Sequence, residues 1–108
     1  MRPAASYIST QLTAAGNGDG VANTGLIGAD SGELQVVVAT IDTNVVVRVD
    51  HSDDAFTTTI PGPEQTITAD GTYVFPIATS YERSRPVFVS EAGGTAATVD
   101  FTLRYNKA

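Results

Sequence analysis

The sequence predicts an all-β protein: a single antiparallel β-sandwich, jelly-roll-like, of about seven or eight strands, occupying residues 1–108. Three observations predict it. Short runs of β-branched and aromatic residues recur at roughly ten-residue intervals, the spacing of sandwich strands. Clusters of Gly, Pro, Asn and Asp separate those runs. No stretch places apolar residues at helical spacing.

Taken in order, residues 1–15 alternate loosely. Tyr7, Ser9, Gln11 and Thr13 point one way; Ile8, Thr10 and Leu12 point the other. This segment is expected either as a weak strand from about residue 6 to 14 or as an N-terminal arm or tail. Residues 16–32 hold six of the 10 glycines, which disfavours helix and favours turns or bulges. GNGDG at 16–20 lacks the alternating acidic ligands of a calcium loop. No strand-to-helix pattern surrounds the glycines, as a dinucleotide-binding loop requires. A short strand near residues 25–28, carrying Leu26 and Ile27, is expected to interrupt this loop.

ELQVVVATI at 33–41 and VVVRVDH at 45–51 are the strongest strand runs. The short link through Asp42, Thr43 and Asn44 predicts that they pair as a hairpin. In the second run Val45, Val47, Val49 and His51 share one face, and Val46, Arg48 and Asp50 the other. Its first half is expected to be buried on both faces and its second half open to water on one. Ser52, Asp53 and Asp54 form turns by bonding their own backbone. FTTTI at 56–60 reads as a Thr-rich strand that PGP at 61–63 stops.

QTIT at 65–68 is a short strand, followed by an Asp70-Gly71 turn and by TYVFPIA at 72–78. There Tyr73, Phe75 and Ile77 share a face, while Pro76 marks an edge or a bulge. SYERSR at 80–85 reads as a polar bend and PVFVSE at 86–91 as a strand with Val87 and Val89 on one side. Past the Gly93-Gly94 turn comes the cleanest alternation in the chain. Ala97, Val99, Phe101, Leu103 and Tyr105 are expected inside; Thr98, Asp100, Thr102 and Arg104 outside.

Net charge is −6, from 12 acidic and 6 basic residues. Such a domain repels phosphate backbones, so no nucleic-acid partner is expected. The absence of cysteine excludes disulfides and thiolate metal sites. No run is long and apolar enough to span a membrane, and the first twenty residues do not read as a signal peptide. A product used without export, with no membrane partner, is the expectation. Charged residues make up only 17% of the chain, lean for a freely exposed surface. Two readings fit: a small, weakly charged sandwich, or a surface partly covered by neighbouring subunits, copies of itself included.

Chemistry is scarce. The single histidine, His51, crowds one strand end with Asp50, Asp53 and Asp54. A catalytic triad needs members from different segments around a pocket, so neither an enzyme nor a cofactor is expected. Asp50, Asp53 and Asp54 are weak metal-ligand candidates, with a solvated acidic turn the plainer reading. With no tryptophan and 7% aromatics, the chain offers few platforms for a sugar ring. Arg83 and Arg85 occupy alternate positions and suit an acidic partner surface. The partner-binding candidates are therefore Tyr7, Ile8, Leu12, Leu26, Ile27, Arg83 and Arg85.

Five features together resemble a β-sandwich domain of tailed-phage virion proteins. They are an apolar strand ending in His51-Ser52-Asp53-Asp54, ITADGTYVFPI at 67–77, an arginine-bearing strand start within 81–89, the Gly93-Gly94 turn, and AATVDFTL at 96–103. The resemblance covers residues 45 to 103. Ala55 stands where that pattern has a glycine after the aspartates. The resemblance implies a virion structural role, assembled in the host cytoplasm. A head decoration or cement protein bound to the major capsid protein is its leading form. A tail or neck accessory, or a host-receptor (carbohydrate) binding module, is the alternative.

Overall fold

A computed structural model of the chain describes residues 4–18, 21–22 and 31–107. The described residues form ten strands: β1 (Ala4–Leu12), β2 (Gly16–Asn17), β3 (Val21–Ala22), β4 (Ser31–Ala39), β5 (Asn44–Ser52), β6 (Ile60–Pro61), β7 (Gln65–Ile67), β8 (Gly71–Pro76), β9 (Arg83–Ala92) and β10 (Thr98–Lys107). One sheet runs β1-β10-β4-β8 and the other β2-β9-β5-β6, with β3 also on β9 and β7 also on β5. Every pairing is antiparallel.

Since β2 and β3 both pair with β9, and β6 and β7 both with β5, each couple acts as one interrupted strand. Counted that way there are eight, and the pairing is first with last, second with seventh, third with sixth, fourth with fifth. That is one long hairpin rolled up across two sheets, the jelly roll expected from the sequence.

The rolled topology overturns the expected local hairpin. β4 pairs with β10 and β8, and β5 lies in the other sheet. The physical reason is the core. Leu34, Val36 and Val38 of β4 and Val45, Val47 and Val49 of β5 are all buried, and placing their strands in facing sheets brings the two rows together across one interior. Residues 40–43 cross between the sheets, with Thr40 at φ 63°. The backbone N–H of Ile41 donates to Asp70 Oδ1 at 2.8 Å, fastening this crossing to the one between β7 and β8. The Asp70-Gly71 turn signal thus belongs to a second sheet-to-sheet crossing.

Ala97, just before β10, and Val99, Phe101, Leu103 and Tyr105 along it are at most 1% exposed, as the alternation predicts. β8 is the outermost strand of its sheet, which is where Pro76 can sit without breaking a ladder. Residues 4–12, expected as a weak strand or an arm, pair along their whole length with β10, from Ala4 opposite Lys107 to Leu12 opposite Val99.

Three local expectations are corrected. The expected bend at 80–85 gives way to strand from residue 83, because Arg83 and Ser84 pair with Ala22 and Val21 on one side and with Ser52 and His51 on the other. A bulge shifts the register between Val46 opposite Ser90 and Val47 opposite Phe88. Phe88 packs into the core cluster, while Val87 is buried at 5% exposed and Val89 is half-buried. Residues 56–59 form no strand. Ala55 and Phe56 turn through left-handed conformations, φ 56° and 64°, and only Ile60–Pro61 pair with β5. Residues 25–28 lie outside the described residues, so the expected strand there does too.

Candidate functional site

β5 is buried in the reverse of the expected sense. Its second half is closed on both faces: Asp50 is 2% exposed, His51 4% and Ser52 0%. β9 supplies the cover. Asp50 accepts from Arg48 Nε at 2.7 Å and lies 3.9 Å from the Arg85 guanidinium. Arg85 in turn lies over the Phe56 ring at 4.2 Å, a cation–π contact. These groups lock the Phe56 loop to the sheet.

On the core side of the same strand, His51 Nδ1 meets Ser84 Oγ at 2.7 Å. Ser84 Oγ also bonds the Tyr105 hydroxyl, which donates to the carbonyl of Ala78 at 3.3 Å. The His51 ring stacks on Tyr81, with ring centroids 4.8 Å apart. This relay joins β5, β9 and β10 through the interior. Burial holds the Tyr105 hydroxyl above its ordinary pKa, so it stays a donor.

A cleft of about 330 Å³ opens beside His51, between the free edges of the two sheets. Leu34 and Val49 reach it from the interior. Ile60, Pro61 and Pro63 line one side, and Phe75, Ile77 and Tyr81 the other; Arg48 and Gln65 add polar groups. The segment 60–63 is held by Gly62, whose N–H donates to Val49 O at 2.8 Å. A Cβ at Gly62 would sit 2.6 Å from that oxygen, so the close approach requires glycine.

A histidine 2.7 Å from a serine hydroxyl has the spacing of a base and its nucleophile. Ser84 is 0% exposed and already shared with Tyr105, so its oxygen is out of reach of a substrate. The pair is a structural clasp.

The metal-ligand candidates do not converge. Asp50 is taken by arginines. Asp53 Oδ1 accepts from the Glu82 N–H at 2.8 Å. Asp54 Oδ1 accepts from Ser52 Oγ and the Thr58 N–H, bonds that hold its carboxyl below the usual range. Among the described residues no group of three or more His, Asp or Glu side chains is arranged to hold a metal ion.

The partner candidates scatter. Tyr7 and Ile8 lie on edge strand β1 opposite Arg104 and Leu103. Leu12 packs against the core. Leu26 and Ile27 lie outside the described residues. Arg83 is exposed at the start of β9, near Glu82, whereas Arg85 is engaged by Asp50 and Phe56. Sequence reading found His51 and missed its partners: Ser84 and Tyr105 are 33 and 54 positions away, and only the roll brings them together.

Acid should loosen this site. Burial pushes the His51 imidazole below its ordinary pKa near 6.5, with Asp50 opposing in part. The unfolded chain therefore binds the proton more readily, and the stability tied to neutral His51 is lost as pH falls below about 6.5. Thermal melts from pH 7.5 downward should show Tm dropping in this window for the parent protein, with a shallower drop for His51→Gln. Equal slopes would contradict the assignment.

Fold and site define a jelly-roll sandwich with an edge cleft and a clasped interior histidine. The fold is similar to that in the crystal structure of the SPBc2 prophage-derived protein YomS, with TM-score 0.56 and 15% sequence identity over 96% of this chain and 96% of that one. No protein-family model matches the chain, and no curated protein matches its sequence.

Proposed function

We propose that this chain is a structural protein of a tailed-phage virion: a capsid decoration protein that binds the major capsid protein and copies of itself. The observation that carries the reading is the outer face of the β1-β10-β4-β8 sheet. Ser9, Gln11, Thr72 and Val74 are exposed there, with Gln35 and Thr102 half-buried between them. Val74 is 56% exposed and Val37 36%. Asp100 and the Arg104–Glu33 pair, at 3.0 Å, are the charges that β4 and β10 add to this face. Apart from these three charges, on the two inner strands, the face presents Ser, Gln, Thr and Val side chains, and Val74 and Val37 are the apolar groups that a partner subunit would cover. The strand-and-turn resemblance to virion sandwiches and the fold likeness to a prophage-derived protein point the same way.

The mechanism is association without chemistry. Each copy makes a modest contact, and many copies on a lattice act together through high effective concentration. The test is co-sedimentation of purified protein with phage shells that lack it. The parent protein should pellet with the shells. Val74→Glu, a change on an exposed edge-strand position, should stay folded and lose most of that binding. Equal pelleting of the variant would remove this face from the account.

A further inference from the structure

The interior relay has a direction. The Ala78 carbonyl only accepts, so the Tyr105 hydroxyl donates to it. Tyr105 must then accept from Ser84, and Ser84 from His51 Nδ1. This is the assignment that satisfies all three contacts. It leaves the proton on Nδ1 and a bare lone pair on Nε2. Nε2 lies on the Gly62 side of the ring, 3.8 Å from where a Gly62 Cβ would stand, and Gly62 and His51 both line the cleft. The cleft therefore presents a fixed hydrogen-bond acceptor at an otherwise largely apolar wall.

We propose that this cleft is a binding site for a neutral saccharide ring. A sugar hydroxyl donates to His51 Nε2, Gln65 meets a neighbouring oxygen, and the ring sits between Pro61 on one side and Tyr81 on the other. The alternatives fit the same walls less well. A purely apolar ligand would leave Nε2 buried without a partner, which is costly. An anion would meet that lone pair in a chain of net charge −6, and a cation would find no carboxylate among the lining residues. The volume of about 330 Å³ is at the small end of ligand sites, which begin at about 300 Å³. Burial keeps His51 neutral and hence an acceptor. The inference does not rest on the capsid reading, because its test uses the isolated protein.

The experiment is an amide NMR titration of the full chain with glucose, galactose, mannose and N-acetylglucosamine separately, and with adenosine as a flat heterocyclic contrast. At least one sugar should shift the Gly62, Gln65 and Ile77 amides in a saturable, millimolar manner. Gln65→Ala, at a half-buried edge position, should melt as the parent does and weaken that sugar about tenfold, the loss of one hydrogen bond. His51→Phe, which keeps a ring on Tyr81 but removes the acceptor, should abolish it. Should His51→Phe fail to fold, Gln65→Ala decides. The proposal is overturned if no sugar moves those amides, if the shifts fall elsewhere, if adenosine outcompetes every sugar, or if Gln65→Ala binds as tightly as the parent.

Discussion

Phe101→Ala is expected to destabilise the sandwich by about 3–5 kcal/mol, the usual cost of removing a buried aromatic ring and leaving its cavity. Phe101 is 1% exposed and sits mid-strand in β10, between Thr10 of β1 and Val36 of β4. Both neighbours are held in ladder, so the site has little freedom to collapse around the void. Domains of this size have about 5–15 kcal/mol in total. The substitution should therefore take away a large share and, at the low end of that range, leave little folded protein at 25 °C. Urea denaturation monitored by tyrosine fluorescence measures it. A loss under about 1.5 kcal/mol would mean that β10 is not the middle of the core.

Deleting residues 1–12 is expected to abolish the soluble folded monomer. On the sequence alone this stretch is either a weak strand or an arm, and an arm could be removed without unfolding the sandwich. In the fold it is β1, nine residues paired in register with β10. Its removal turns β10 from an inner strand into an edge with a row of unpaired backbone groups, and such edges recruit other chains. Leu12, packed on the core, goes with it. Size-exclusion chromatography and far-UV circular dichroism of the truncated chain should show aggregate or unfolded protein. A monomer melting within a few degrees of the parent would contradict the role given to β1.

Strand identity was legible where one face is buried and the other wet. The period-two pattern in β10 states its inward face outright, and burial follows it residue by residue. Strand pairing was not legible. A short link between two valine-rich runs reads as a hairpin, and nothing in residues 40–43 distinguishes a turn within one sheet from a crossing between two. That choice is made by β10 and β9, which begin only at Thr98 and Arg83 and supply the partners. The bulge at Val89 hid the core role of Phe88 in the same manner, since one extra residue reverses every face beyond it.

The site divides along similar lines. His51 and its aspartates were visible as neighbours in sequence, and the acidic turn bonds its own backbone as those residue types predict. Ser52 Oγ accepts from the N–H groups of Asp54 and Phe56. The clasp with Ser84 and Tyr105, and the engagement of Arg85 by Asp50 and Phe56, depend on contacts between distant strands that residue spacing does not encode. The cleft was hidden for a further reason: Pro61 and Pro63 read only as strand stops, and its shape arises because β7 and β8, joined by residues 68–70, lie in different sheets, where the Asp70-Gly71 signal reads as a turn within one.

Counting copies of this chain in purified virions, by quantitative mass spectrometry against the major capsid protein, tests the central reading most directly. A decoration protein should be present in hundreds of copies, in fixed ratio to the shell subunit. Absence from the particle would contradict a virion role, and a count of about six or twelve would contradict attachment to the shell lattice and move the protein to the tail or neck.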